Sequence, residues 1–159
     1  HDNHKALHQL FLRHYEYHLS SYSQVYKGIT EMLTTLNAQN IPIAILSNKS
    51  HGLLIKLTNY FFPEISFICI RGAINNVLPK PYPYVFNEIS RLMNTSPQKL
   101  LMVGDTQVDI KTAQATGALS ASVSWGYQCI DTLNLDNPNF IIQRPDQLLT
   151  LLEVSYENS

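Results

Sequence analysis

The sequence predicts an α/β fold built on a doubly wound parallel sheet, and three observations carry that reading. Apolar runs of strand length recur without a polar alternate, as expected of strands buried on both faces. Segments with apolar residues three and four apart separate these runs, as amphipathic helices require. Several runs end in Gly, Ser or Asn before the next helical pattern, which is the order of strand, turn and helix in βαβ units.

The chain has 159 residues, 45% of them hydrophobic, enough for one domain with a real core. Charged residues make up 14% and the net charge is −1, so no attraction to nucleic acid or a membrane surface is predicted, and any phosphate binding must be local. No apolar run approaches the length of a membrane span, and no signal peptide is visible in the residues given. Cys69 and Cys129 are the two cysteines. Cys69 lies in a strand-like run and is expected to be a buried thiol, which suits a reducing cytoplasm. The first residue is His1 rather than Met, which reads as a chain cut at its N-terminus.

Residues 1–22 read as helix, with Leu7, Leu10, Phe11, His14 and Tyr15 at spacings of three and four. His4 with His8, and His14 with His18, have the i, i+4 spacing of paired metal ligands. No carboxylate lies between them in the zinc-protease pattern, and a solvated helix face is the reading adopted. Tyr26 and Gly28 break the pattern. A helix follows over residues 29–40, with Ile29, Leu33 and Leu36 on its buried stripe. Residues 41–46 form a continuous apolar run with Pro42 near its start, a buried parallel strand. Next comes a helix through Leu53, Leu54, Leu57 and Tyr60, then a strand over 65–70 closed by Arg71 and Gly72. A helix over 84–94 turns Val85, Phe86, Ile89 and Leu92 inward. After a turn at Thr95, Ser96 and Pro97, residues 100–103 form another strand. The next helix passes Ile110 and Ala113 and stops at Gly117, a good residue for a helix C-terminus. Strands over 120–125 and 140–143 and a helix over 145–154 complete the chain. Trp125 and Tyr127 could line a site or sit in the core.

Chemistry concentrates where strands end. Gly104 permits a sharp exit and close approach of another group to the backbone. Asp105 follows at the carboxyl end of the strand, where open α/β sheets place ligands, and Asp109 lies in the first turn of the next helix. Two carboxylates there repel unless a positive charge lies between them, and Mg²⁺ suits oxygen ligands. The plainer alternative makes Asp105 a helix N-cap and Asp109 a first-turn acid facing the helix dipole. Ser47 ends an apolar run before a helix, where its hydroxyl and nearby N–H groups suit an anion; an ordinary cap is the alternative. Lys80 stands between Pro79 and Pro81, with Pro83 beyond. Such rigidity suits an ammonium that must point at one fixed anion. A phosphate donor, a fixed cation and a divalent-metal site are the equipment of phosphoryl transfer.

These residues resemble those of the haloacid dehalogenase-like superfamily, phosphoglycolate phosphatase type. An apolar strand ending in Ser or Thr matches the run into Ser47, followed by Asn48 and Lys49. A Lys-Pro-x-Pro setting matches Lys80-Pro81-Tyr82-Pro83. Gly-Asp with a second acid matches Gly104-Asp105 and Asp109. Tyr26-Lys27-Gly28 and Trp125-Gly126-Tyr127 resemble flanking segments, so the resemblance spans about residues 11–152. It implies a Rossmann-like core over residues 23–159 and a remnant of a helical cap domain over residues 1–22. It also implies that Ser47 and the Asn48 amide bind the phosphoryl group. Lys80 would neutralise that group and the nucleophile, Asp105 would ligate Mg²⁺, and Asp109 would support the metal directly, through water or through Lys80.

The family's first motif, Asp-x-Asp-Gly-Thr, has no counterpart here, nor does most of the cap. Its first Asp is the nucleophile that becomes an aspartyl-phosphate and its second the general acid/base. The resemblance therefore implies a truncated copy or fragment, inactive as given. In the family the missing strand is central, between the strands ending here at Ser47 and Gly104. Its loss should expose two strand edges or force them together, favouring self-association. The function implied is a Mg²⁺-dependent phosphomonoesterase that converts 2-phosphoglycolate to glycolate and phosphate in the cytoplasm, with a small phosphorylated metabolite as its partner. Other small-molecule phosphatases, a pyrophosphatase or a phosphomutase on the same scaffold stay open, as does a non-catalytic remnant that binds phosphate or a partner. The dehalogenase branch fits less well, having no need of a metal site. A receiver domain fits less well too, because its lysine follows its acids.

Overall fold

Strand and helix alternate throughout the computed structural model of the protein, which describes residues 23–157. The helix expected over residues 1–22, with five of the six histidines, lies outside the described residues. The elements are α1 (Ile29–Ala38), β1 (Ala44–Ser50), α2 (His51–Phe61), β2 (Cys69–Ala73), α3 (Tyr84–Leu92) and β3 (Leu101–Gly104). Then follow α4 (Gln107–Thr116), β4 (Leu119–Val123), α5 (Ile130–Asn134), β5 (Phe140–Ile142) and α6 (Asp146–Glu157). All the strand pairs are parallel. The α/β class read from the sequence holds.

The sheet is in two parts. β1 pairs with β2, and β3, β4 and β5 pair in that order. Among the described residues β1 and β3 each have one strand neighbour, and they do not pair with each other. Of the two outcomes foreseen for that place, the edges stay apart. Val103, expected to be buried on both faces, is accordingly 38% exposed.

Apolar packing bridges the two parts on both faces. Adjacent strand residues point to opposite faces, and Leu101 and Met102 divide accordingly. Leu101 packs against the cluster of Met32, Leu36, Val123, Ile142 and Leu148, which is roofed by α1 and α6 and joined by Ile43. Met102 packs with Phe86, Ala113 and Ala118 beneath α3 and α4, joined there by Leu46 of β1. Gly117 ends α4 with φ 76°, as its position suggested.

Several boundaries differ from the sequence reading. β1 begins at Ala44 and runs on through Ser50, because polar residues continue the strand in an irregular stretch: Leu46 pairs with Arg71 and Ser50 with Ala73. β2 is displaced from 65–70 to Cys69–Ala73, taking in Arg71 and Gly72. Its expected first half is held elsewhere: the Asn37 amide donates to Ser66 O at 3.1 Å and accepts from Ser66 N–H at 2.7 Å. Leu92 is 50% exposed and Tyr60 54%, so neither faces the core; buried Ser90, whose hydroxyl donates to Thr95 O at 2.7 Å, and Thr58 take inward places. The short helix α5 carries no apolar period long enough to announce it. Cys69 is half-buried rather than buried, and burial raises the pKa of its thiol; Cys129 is exposed, and a hydrogen bond with Thr132 lowers its own.

Ile110 is 1% exposed and fastens α4 to the sheet. Ile110→Ala should lower the free energy of unfolding by about 3 kcal/mol. Urea denaturation measures this, and an unchanged midpoint would contradict the packing.

Candidate active site

Helix α4 begins where β3 ends, and the turn between them is organised by Asp109. The N-cap is Thr106, not Asp105. Thr106 donates twice to Asp109 Oδ2, from its backbone N–H at 3.1 Å and from its hydroxyl at 2.9 Å. Asp109 is thus the first-turn acid of the plainer alternative, closing orphan donors at a helix start. It approaches the strand closely because residue 104 is glycine: a Cβ there would lie 2.3 Å from Asp109 Cγ. The close approach that Gly104 permits is therefore made by Asp109 itself.

The other oxygen of Asp109 meets Lys80. Lys80 Nζ donates to Asp109 Oδ1 at 2.5 Å, and the two side chains are 11% and 8% exposed. The backbone of Lys80 is fixed independently. The Asn48 side chain accepts from Lys80 N–H at 2.9 Å and donates to Lys80 O at 3.1 Å, and the Lys80–Pro81 peptide is cis. Asn48 thus spends its amide oxygen and one amide N–H on the backbone of Lys80. Beside it, Ser47 Oγ accepts from Lys49 N–H at 3.1 Å and keeps its own hydroxyl proton to donate. Ser47 lies within β1, where the ladder is irregular, rather than beyond its end.

Asp105 is held by the segment after β4. Tyr127 N–H donates to Asp105 Oδ2 at 2.8 Å and Gln128 N–H to Asp105 O at 3.1 Å. Its Oδ1 makes no hydrogen bond among the described residues. Tyr127 is 86% exposed and not a core residue. Trp125 packs against the α1–α6 cluster and lines a separate cleft of about 610 Å³ with Tyr26, Lys27 and Gly28. His51 Nδ1 accepts Gly72 N–H at 3.2 Å, so that nitrogen is occupied.

Asn48, Lys80 and Asp109 are therefore brought together by direct bonds; Ser47 joins them as the chain neighbour of Asn48, and Asp105 through the Thr106 turn. Sequence reasoning missed Thr106, Gly126 and Gln128; for Thr106 a signal existed, a Thr three residues before an acid at a helix start. Among the described residues no group of three or more His, Cys, Asp or Glu side chains could hold a metal. The donor set nevertheless fits Mg²⁺, which takes one or two carboxylates with waters and substrate phosphate oxygens. Asp105 Oδ1 is the oxygen open to it. Asp109 has both oxygens engaged.

The Lys80–Asp109 pair makes a stability test. Asp109→Ala leaves a nearly buried ammonium unpaired and should cost about 3–5 kcal/mol in urea unfolding. Thr106→Ala removes only one donor and should cost about 1 kcal/mol. Equal costs would show that the ion pair is not the dominant contact.

Comparison with known proteins bears on the fold and the family. The model of the haloacid dehalogenase-like hydrolase family matches residues 1–123. The phosphoglycolate phosphatase of Neisseria gonorrhoeae is 30% identical over 148 residues, 93% of this chain and 61% of that protein. The phosphoglycolate phosphatase of Aquifex aeolicus is 29% identical over 145 residues, 91% of this chain and 67% of that one. The chain spans about three fifths of the length of the first relatives it matches. Among solved structures, a predicted phosphoglycolate phosphatase from Haemophilus somnus superposes with a TM-score of 0.88 at 24% identity, covering 96% of this chain and 68% of that one. A haloacid dehalogenase-like family protein from Streptococcus pneumoniae superposes with a TM-score of 0.73 at 21% identity, covering 81% and 60%. These likenesses establish the fold, and with the family match over most of its length the chain belongs to the haloacid dehalogenase-like hydrolases.

Proposed function

We propose that this chain carries the phosphate- and metal-binding part of a Mg²⁺-dependent phosphomonoesterase whose substrate is 2-phosphoglycolate. The observation that carries the reading is Lys80. Its backbone is gripped by Asn48 and its ammonium is aimed by Asp109. An ammonium so fixed neutralises a phosphoryl dianion without reorganising during the reaction. Ser47 donates its hydroxyl proton to a phosphoryl oxygen, and the Asn48 main-chain N–H adds a second donor. Asp105 offers Oδ1 to Mg²⁺, which when bound supplies further neutralisation of the phosphate oxygens. Asp109 acts through Lys80. The relatives' names support 2-phosphoglycolate as substrate, and so a small phosphorylated metabolite as partner.

The sequence given has no match to Asp-x-Asp-Gly-Thr. The reading assigns attack on phosphorus, and the aspartyl-phosphate, to a carboxylate outside these residues. Asp109 is tied to Lys80 and Thr106, Asp105 is reserved for the metal, and Ser47 has no base beside it because His51 is engaged with Gly72. The free cysteines support a cytoplasmic location, and the open edges of β1 and β3 support self-association.

The 159-residue chain with Mg²⁺ is expected to give no measurable hydrolysis of 2-phosphoglycolate or an aryl phosphate. A product burst abolished by Ser47→Ala would overturn the assignment of the nucleophile. In a version extended upstream to include the nucleophile strand, Lys80→Ala should lower kcat by roughly two to three orders of magnitude. Lys80→Arg should not restore it fully, since a planar fork does not replace a compact ammonium. Wild-type turnover in the alanine variant would remove Lys80 from the reaction.

A further inference from the structure

The segment over residues 126–128, after β4, is built around Asp105 at every level. Tyr127 N–H occupies the Asp105 side chain at Oδ2, at 2.8 Å. Gln128 N–H occupies its main-chain carbonyl, at 3.1 Å. The Gln128 side chain continues to the next helix: its Oε1 accepts the N–H of Gln107, the first residue of α4, at 2.5 Å. Gly126 lies so close that a Cβ there would stand 2.1 Å from Asp105 Cβ and 2.6 Å from Oδ2. Neither a strand end nor a helix start by itself fixes the side-chain rotamer of an aspartate between them. Here a third element fixes it.

We infer that residues 126–128 are a positioning device for Asp105, occupying Oδ2 and presenting Oδ1 to a divalent cation. The inference rests on the reading of Asp105 as a metal ligand. The device reduces two equivalent oxygens to one, so the ion meets a single monodentate donor and keeps coordination sites for water and phosphate. It also ties the segment after β4 to the first residue of α4 through the Gln128 side chain. Partners of metal ligands typically hold affinity at the level of roughly 10- to 100-fold. Only the backbone of Tyr127 is used, and its ring is largely in solvent.

The test uses the 159-residue chain and Mn²⁺ as the probe, a cation suited to the same hard oxygen donors, with free ion read by electron paramagnetic resonance. Thermal unfolding of each variant is followed alongside. Asp105→Asn should weaken binding, and Gly126→Ala should weaken it roughly 10- to 100-fold while still unfolding cooperatively. Tyr127→Ala should bind like wild type. A folded Gly126→Ala with wild-type affinity, beside a weakened Asp105→Asn, overturns the positioning role and leaves the metal reading standing. Asp105→Asn indistinguishable from wild type sinks the metal reading and the inference with it. Should Gly126→Ala fail to fold, Gln128→Ala decides: loss of about tenfold supports the device, and wild-type affinity overturns it.

Discussion

The ion pair between Lys80 and Asp109 is the contact on which the rest of the site depends. Both partners are nearly buried, and a buried pair contributes little net stability over an apolar one because each charge must first leave water. What it does fix is geometry. Lys80 belongs to the loop after β2 and Asp109 to the first turn of α4, so the pair crosses from one part of the sheet to the other. Asn48, in β1, holds the same lysine by its backbone. The charged contact and the amide clamp together set where β1 and β3 end relative to each other, although no ladder joins those strands.

That division of the sheet changes how stability is distributed. A strand flanked on both sides is locked by two ladders, whereas among the described residues β1 and β3 have one each. Side-chain packing replaces part of what is lost: Leu46 meets the cluster around Phe86 and Met102 on one face, and Ile43 meets the α1–α6 cluster on the other. Packing of this kind is less directional than a ladder. The alignment of the strand ends thus rests more on Lys80, Asn48 and Asp109 than it would in a continuous sheet. The fold and the proposed site are held by the same polar contacts.

How much of this was legible in the sequence varies with the range of the interaction. Periodicity located every described helix except α5, which spans too few residues to show a period. Gly104 and Gly117 were read correctly because a tight exit and a helix stop are local demands. Boundaries failed where a distant group intervened: the Asn37 amide takes Ser66 out of β2, and the polar residues 47–50 extend β1 past its apolar run. In the site, the proline frame around Lys80 was visible. That Asn48 grips its backbone was not, since the two lie 32 residues apart. The hold of residues 126–128 on Asp105 was hidden for the same reason. Backbone donors carry no residue-specific signal, and Gly126 alone hints that something approaches closely there.

The two carboxylates four residues apart illustrate what spacing can and cannot decide. Their repulsion calls for a positive charge between or beside them. In the structure that charge is divided unequally: Asp109 has the ammonium of Lys80 and two donors from Thr106, while Asp105 has one main-chain N–H. Asp109 is therefore already neutralised, and Asp105 carries the uncompensated charge. On the proposed reading, a cation would gain most at Asp105 and little at Asp109. A phosphate dianion, on the same reading, would meet Lys80, whose ammonium Asp109 holds in place. Metal and phosphate would then attract each other across the proposed site, so binding of one would favour the other.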